Sequence, residues 1–234
     1  QYTVVDNRTS STWSAADIAT SADGAIDSYV ADLNGDGYLD ILTASMHDNT
    51  IAWYENNKDR NPTFTKESIS TNAASANGIF VADLDGDGDL DIISASANDD
   101  KITWYENSSY LDPWFQTHEI ATSADEASKV FVADLDGDGD LDIVSSSRGD
   151  DTIAWYENDG AADPSWSAVD IATSADGAYD VHVADMDGDG DLDIVSASYS
   201  DNTIAWYEND GAADPTWTAV DIATSADGAI DVHI

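Results

Sequence analysis

The chain has 234 residues, of which 48 are Asp or Glu and only 7 are Lys or Arg, so its formal net charge is −41. This balance excludes a partner that is held through its phosphates, as nucleic acids are, because Lys and Arg make such contacts. Hydrophobic residues make up 42% of the chain and eight residues are Trp, which is enough apolar volume for a folded protein rather than a disordered acidic tail.

Targeting and redox signals are weak. No apolar run approaches the roughly 18 residues of a membrane-spanning helix, so we expect no membrane insertion. Residues 1–6 lack the basic and apolar regions of a signal peptide, so a secreted form would already be processed. The absence of Cys excludes disulfides and thiolate metal sites but leaves the compartment open.

One unit recurs every 51 residues through nearly the whole chain. The sequence WYEN begins at Trp53, Trp104, Trp155 and Trp206, and the prolines at 62, 113, 164 and 215 keep the same step. Whole units cover 25–75, 76–126, 127–177 and 178–228, and a partial unit consists of 1–24 and 229–234. Repeats of this length are typical of propellers and other repeat architectures.

Each unit contains four short segments that predict β-strands. In the last whole unit these are Ala178 to Asp185, Leu192 to Ser198, Thr203 to Asn209 and Trp217 to Ala223, rich in β-branched and aromatic residues and separated by Asp, Gly and Pro. No window shows helical periodicity. The sequence therefore predicts an all-β fold.

Four antiparallel strands in about 50 residues are what one blade of a β-propeller needs. We expect a single propeller domain over residues 1–234 with about five blades. In the fifth, partial blade, residues 1–20 align with strands three and four, and residues 229–234 align with strand one. Because this blade lacks its second strand, three arrangements stay open: a closed monomer, a homo-oligomer that pairs the open edges, or a fragment of a longer array.

An acidic loop with the pattern D-x-[DN]-x-D-G-x-x-D follows the first predicted strand of each whole unit. These are loop 1 (residues 32–40), loop 2 (83–91), loop 3 (134–142) and loop 4 (185–193). So many like charges repel one another unless a cation neutralises them, and oxygen ligands without His or Cys favour Ca²⁺. We therefore predict about four calcium ions, one in each loop.

The predicted ligands occupy loop positions 1, 3, 5, 7 and 9. They are Asp32, Asn34, Asp36, Tyr38 and Asp40 in loop 1; Asp83, Asp85, Asp87, Asp89 and Asp91 in loop 2; Asp134, Asp136, Asp138, Asp140 and Asp142 in loop 3; and Asp185, Asp187, Asp189, Asp191 and Asp193 in loop 4. Position 7 is a Tyr in loop 1, so we expect this position to offer its backbone carbonyl and the others their side chains. A Gly at position 6 permits the sharp turn.

The loops are not EF-hands. Strands flank them, and the bidentate Glu of an EF-hand at position 12 is replaced by Thr43, Ser94, Ser145 and Ser196.

The segments VADLDGDGDLDI at Val81 and Val132, each followed by WYEN, resemble the FG-GAP repeats, also called VCBS repeats, of integrin α-subunit propellers and many bacterial extracellular proteins. The resemblance covers essentially the entire chain, although the usual number of blades is seven. It implies calcium in the hairpin between strands one and two of each blade, at loops 1 to 4, and a noncatalytic extracellular role. Several family members bind proteins in adhesion, and similar fungal calcium propellers are lectins.

Two further sets of residues are candidates for ligand contact. Strand alternation predicts that the Trp of each WYEN packs against a neighbouring blade, which leaves the Tyr as the outward ring for a sugar. The turns between strands two and three vary among the units and are predicted to lie on the face opposite calcium. Their residues His47, Arg148 and Tyr199 are therefore the candidate ligand contacts, with neutral variation as the alternative.

These patterns favour a noncatalytic, calcium-stabilised scaffold for extracellular binding or adhesion. The alternatives are a carbohydrate-binding lectin, a self-assembling repeat protein and a polysaccharide-active enzyme, although the sequence contains no recoverable Ser-His-Asp arrangement. The partner, protein or glycan, stays open. The dispersed acidity favours adaptation to high salt over a surface for a cationic partner.

Overall fold

The protein is described by a computed structural model that covers residues 15–109 and 113–234. These residues form sixteen strands and no helix, grouped into four antiparallel sheets of four consecutive strands. We call each sheet a blade. Blade 1 contains β1 (Ala25–Ala31), β2 (Asp40–Ser45), β3 (Thr50–Asn56) and β4 (Phe64–Ser70); blade 2 contains β5 (Ala76–Ala82), β6 (Asp91–Ser96), β7 (Lys101–Asn107) and β8 (Phe115–Ala121); blade 3 contains β9 (Ala127–Ala133), β10 (Asp142–Ser147), β11 (Thr152–Asn158) and β12 (Trp166–Ala172); blade 4 contains β13 (Ala178–Ala184), β14 (Asp193–Ser198), β15 (Thr203–Asn209) and β16 (Trp217–Ala223).

The predicted all-β fold and the four-stranded unit are confirmed. In blade 4 the strand bounds agree with the predicted ones to within one residue. The predicted strand three of the partial blade falls within residues 1–14, outside the described residues. The predicted strand four extends into residues 15–20, and this part of the prediction is wrong because residues 15–24 contain no strand. Within 15–109 and 113–234, no helix is long and apolar enough to cross a membrane.

The hydrophobic core lies between consecutive blades. One cluster joins Leu42 and Trp53 of blade 1 to Ile79 and Tyr105 of blade 2. Equivalent clusters join blade 2 to blade 3 and blade 3 to blade 4. Each blade therefore buries its side chains against its neighbours, which is the packing of a propeller-like array.

The expectation of an outward tyrosine in WYEN is wrong. Tyr54, Tyr105, Tyr156 and Tyr207 are all buried, with at most 5% of each residue exposed. Alternation still places the Trp and Tyr on opposite faces of their strand, but a neighbouring blade covers both faces. The four tyrosine rings serve packing, and they offer no surface on which a sugar could stack.

The first strands of the blades lie side by side, and a row of aromatic rings runs across them. Tyr29, Phe80, Phe131, His182 and His233 recur at the 51-residue step. Neighbouring rings in this row have centroids 4.7 to 5.4 Å apart. His233 belongs to the segment 229–234, which therefore lies beside β13 as β13 lies beside β9.

Hydrogen bonds place the segment 229–234 in the same way. The Val232 N–H donates to Asp180 Oδ2 at 2.8 Å, just as the Ile79 N–H donates to Asp27 Oδ2 at 3.0 Å between blades 1 and 2. Residues of β1, β5, β9, β13 and this segment line one cavity of about 370 Å³. The segment thus takes the place of a further first strand, as its alignment predicts.

Candidate metal centre in the acidic loops

All four acidic loops lie at the same end of their blades. In each, position 1 follows the first strand directly and position 9 is the first residue of the second strand. The Gly at position 6 has a φ of +88° to +104°, in the left-handed region, and no atom lies within 4 Å of where its Cβ would be. Backbone conformation, not lack of space, requires glycine there.

The loops orient their own carboxylates through backbone N–H groups. Oδ2 of the position 1 Asp accepts a hydrogen bond from the N–H of the position 6 Gly, at 2.8 Å in loop 1 and 3.0 to 3.2 Å in loops 2 to 4. The position 5 Asp accepts one from the position 7 N–H at 2.8 to 3.0 Å. These bonds turn the acidic side chains towards the inside of the loop.

In loops 2, 3 and 4 the acidic side chains converge. Three ligand oxygens lie within 4.8 Å of one another in each of these loops, contributed by Asp83, Asp85 and Asp91; by Asp134, Asp136 and Asp138; and by Asp185, Asp187 and Asp193. None of these groups includes position 7, whose role as a carbonyl ligand stays a prediction. Each group includes position 3, which in loop 1 is the neutral Asn34, so loop 1 forms no group of three acidic oxygens.

Two carboxylate oxygens in these groups are left without a partner. Oδ1 of Asp83 and Oδ1 of Asp134 are buried and accept no hydrogen bond. Such an atom is costly unless a cation meets it. Asp40 Oδ2 of loop 1 is also buried and unpartnered, but it belongs to no group of three acidic oxygens. The residues therefore fit a bound metal ion in loops 2 and 3, and the same convergence extends the fit to loop 4.

The position 9 carboxylates are almost fully buried, with at most 1% of each residue exposed. Burial raises the pKa of Asp91 and of Asp142 to about 7, although N–H groups of Asn107 and Asn158 bond to these carboxylates and oppose the rise. A cation beside them would favour their ionised form.

The Asn of WYEN has a structural role that the sequence did not reveal. Its backbone N–H donates to the position 9 carboxylate, at 2.9 Å from Asn158 to Asp142. Its side-chain amide donates to the Leu141 carbonyl in its own loop and to the Leu84 carbonyl in the preceding loop, both at 3.0 Å. Asn107 and Asn209 make the same bridges, so this residue ties consecutive acidic loops together.

The structure brings together two of the three candidate ligand residues. Arg148 and Tyr199 line one pocket of about 330 Å³ between blades 3 and 4, with Tyr179 and Glu126. The Arg148 Cζ lies 5.2 Å from the centroid of the Tyr179 ring. His47 belongs to the equivalent turn of blade 1, where its Nδ1 is 3.3 Å from Asp23 Oδ1.

The last residue of these turns has a packing role. Asn49, Asp100, Asp151 and Asn202 all have a φ near +60°. Their side chains accept the N–H of a residue just before the next blade or the 229–234 segment, at 2.8 to 3.2 Å. Only the earlier turn positions are therefore free to vary.

A second kind of cavity repeats between outer strands. One of about 520 Å³ lies between blades 1 and 2, lined by Asn34, Trp53, Glu55 and Trp114 among others. Its equivalent between blades 2 and 3, of about 530 Å³, contains Trp104 and His118. Trp114 is 62% exposed at the first of these, and Ser165 takes its place in the next blade.

The chain belongs to the FG-GAP-like repeat family. The family profile matches four overlapping stretches, 32–94, 83–145, 134–196 and 185–234, each of which begins at an acidic loop. No curated protein sequence matches the chain.

Solved structures share the fold. An Agrocybe aegerita lectin, described for specific recognition of non-reducing terminal N-acetylglucosamine, is 22% identical with a TM-score of 0.56; the match covers 85% of this chain and 52% of the lectin. The V. cholerae biofilm matrix protein Bap1 is 22% identical with a TM-score of 0.51, over 82% of this chain and 28% of Bap1. A Lactobacillus plantarum protein is 14% identical with a TM-score of 0.51, over 78% of this chain and 52% of that protein. The chain thus spans about half of the lectin's length and little more than a quarter of Bap1.

Proposed function

We propose that the chain is a noncatalytic β-propeller scaffold, stabilised by calcium in its acidic loops, that presents a binding or adhesion surface outside the cell. The observation that carries the calcium assignment is the pair of buried, unpartnered oxygens of Asp83 and Asp134 within convergent carboxylate groups. Hard oxygen ligands without nitrogen or sulfur favour Ca²⁺ over transition metals.

The loop residues connect such an ion to the blade. Position 1 follows the first strand, position 9 begins the second, and the Asn of the third strand holds position 9 through its N–H. A bound Ca²⁺ supplies the positive charge that lets these carboxylates stay ionised together. The chain's own residues then hold three strands of the blade and, through the bridging Asn, the preceding loop.

An extracellular setting suits these loops. Their position 5 side chains are exposed in loops 2 to 4, and each site is a short hairpin loop rather than an enclosed cage. Extracellular calcium modules work at affinities of about 10⁻⁴ to 10⁻³ M, which millimolar calcium outside cells can saturate. The position of the 229–234 segment beside β13 supports a further first strand after blade 4.

Thermal unfolding with calcium and with a chelator tests the structural role. We expect excess calcium to raise the melting temperature by at least about 10 °C over the chelated protein, because ligand binding to the folded state alone stabilises it. Magnesium serves as the control, and it should give a smaller rise because it demands stricter octahedral geometry. Equal melting temperatures in calcium and chelator would overturn the proposal.

A lectin is the second candidate, and the cavity between blades 1 and 2 favours it. There the exposed Trp114 ring stands beside the polar side chains of Asn34, Glu55 and Glu67, the combination that stacks on and hydrogen-bonds to a sugar.

A glycan array tests the lectin candidate with a matched variant. Trp114→Ser copies the Ser165 of the next blade, so it should abolish glycan binding while leaving the melting temperature within about 1 °C. Absence of any glycan binder to the unaltered chain at high protein concentration would rule against this candidate.

A further inference from the structure

Loop 1 differs from the other acidic loops in its composition. Position 3 is Asn34 and position 7 is Tyr38, so the loop carries three carboxylates where loops 2, 3 and 4 carry five each. Position 3 belongs to every convergent carboxylate group of loops 2, 3 and 4, and in loop 1 it is the neutral Asn34.

A lysine reaches into loop 1 from another part of the blade. The Nζ of Lys58, in the connection between β3 and β4, lies 2.8 Å from Oδ2 of Asp36, and only 11% of the Asp36 side chain is exposed. That oxygen is buried and accepts no hydrogen bond from any other described group. The ammonium group therefore neutralises the position 5 carboxylate from the direction of the connecting loop.

Other polar groups of loop 1 have protein partners. Oδ1 of Asp32 accepts the Asp36 N–H at 2.9 Å, whereas the matching oxygens of Asp83 and Asp134 have no partner. The Asn34 side-chain amide donates to Glu55 Oε1 at 3.2 Å. Loop 1 thus satisfies the position 1 oxygen that loops 2 and 3 leave for a cation, while its own unpartnered oxygen is Oδ2 of Asp40.

The backbone at Lys58 has the same left-handed conformation as the equivalent residues of blades 3 and 4. Lys58 has a φ of +67°, and its equivalents Gly160 and Gly211 have φ values of +66° and +67°. In blades 3 and 4 a Cβ at these glycines would come within 2.0 Å of Asp140 Oδ2 or 2.1 Å of Asp191 Oδ2, so the position 7 carboxylate would have to move. In blade 1 position 7 is Tyr38, so no carboxylate occupies that space. The equivalent residue of blade 2 is Ser109, with Asp89 at position 7, so lysine at this place is found in blade 1 alone among the four blades.

We propose that the Lys58 ammonium group is the resident cation of loop 1, so that the chain binds three calcium ions rather than four. This inference rests on the proposed calcium function of loops 2, 3 and 4. The hairpin between β1 and β2 then keeps its conformation at any calcium concentration, while the equivalent hairpins of the other three blades need the ion.

Calcium counting on the full chain tests the proposal. Equilibrium dialysis should give three bound ions for the unaltered protein. The variant N34D/Y38D/K58G gives loop 1 the residues of loops 3 and 4 at these positions and should bind a fourth ion. Lys66→Gln, which removes a lysine charge from β4 outside the loops, should leave the count at three.

The outcomes separate the two proposals. Four ions bound tightly by the unaltered chain would overturn the role of Lys58 but keep the calcium function. No bound calcium would overturn the calcium function itself. If the triple variant does not fold, Lys58→Gln decides instead: with the charge lost and the chain length kept, the calcium-free protein should lose stability, and an unchanged melting temperature of that form would contradict a resident ammonium ion.

Discussion

Loop 1 and loop 3 have backbone hydrogen bonds in common but differ in how their carboxylate charges are neutralised. In both, the position 1 Asp accepts the glycine N–H, at 2.8 Å in loop 1 and 3.1 Å in loop 3, and the position 5 Asp accepts the position 7 N–H at 2.9 Å. The difference lies in Lys58, which pairs with Asp36, and in Asp134, whose Oδ1 has no partner. Glycines and local hydrogen bonds thus define the loop's shape, and the facing residues decide which cation completes it.

The largest expected effect comes from removing the position 1 charge in each loop. Asp134→Asn should lower the free energy of unfolding by about 3 kcal/mol in calcium at 100 times its dissociation constant, since one bound ion contributes about 2.7 kcal/mol there. Asp32→Asn should cost only about 1 kcal/mol, the value of a hydrogen bond, because no ion is lost. Urea unfolding in calcium and in chelator measures both.

The chelator isolates the calcium contribution in that comparison. Most of the Asp134→Asn effect should disappear without calcium, while the Asp32→Asn effect should be the same in both conditions. An equal calcium dependence of the two variants would show that loops 1 and 3 bind the ion alike, which would contradict the distinction between them.

A smaller difference in stability is expected between variants of Asn158, which bridges two loops, and of Asn56, which bonds to its own loop. Asn158→Ala removes three side-chain hydrogen bonds, to the Leu84 and Leu141 carbonyls and from the Gly160 N–H, and Asn158 is buried. Asn56→Ala removes two, to the Leu39 carbonyl and from the Lys58 N–H, at a half-buried position without a bond to a preceding loop. We expect costs of about 2 to 3 kcal/mol and about 1 kcal/mol, respectively, in the free energy of unfolding. Equal losses in the free energy of unfolding would contradict the inference that Asn158 links consecutive loops.

The smallest effect is a release of protons when calcium binds. Burial raises the pKa of Asp91 and Asp142 to about 7, so each is about half protonated at pH 7 in the calcium-free protein and must ionise on binding. At loop 1, burial acts to raise the pKa of Asp36, but Lys58 and the Tyr38 N–H outweigh it and the pKa is lowered, so Asp36 is already ionised.

Calorimetric titration in two buffers of different ionisation enthalpy measures this release. We expect about one proton per chain at pH 7 and almost none at pH 9. The same raised pKa values make the stability of the calcium-free protein depend on pH. Because the folded pKa values of Asp91 and Asp142 lie above the unfolded ones, these two groups stabilise the calcium-free fold below about pH 4. This stabilisation is lost as the pH rises through about 7. Release that persists unchanged at pH 9 would contradict the assignment.

The sequence predicts the strands and acidic loops well because each signal is repeated in every unit. Strand bounds agree closely, and three loops bring the predicted carboxylates together. Lys58 could not be found in this way, since its pairing with Asp36 depends on how the connection between β3 and β4 folds back over the loop. The tyrosines of WYEN are misassigned for a similar reason: alternation gives the face of a strand, but only the packed array shows that both faces are covered.

A crystal structure grown in millimolar calcium, with anomalous differences measured at long wavelength, tests the central claim most directly. We predict calcium peaks inside loops 2, 3 and 4, and in loop 1 the Lys58 ammonium group beside Asp36 without a peak. A fully occupied calcium peak in loop 1, or no peak in any of the other loops, would contradict it.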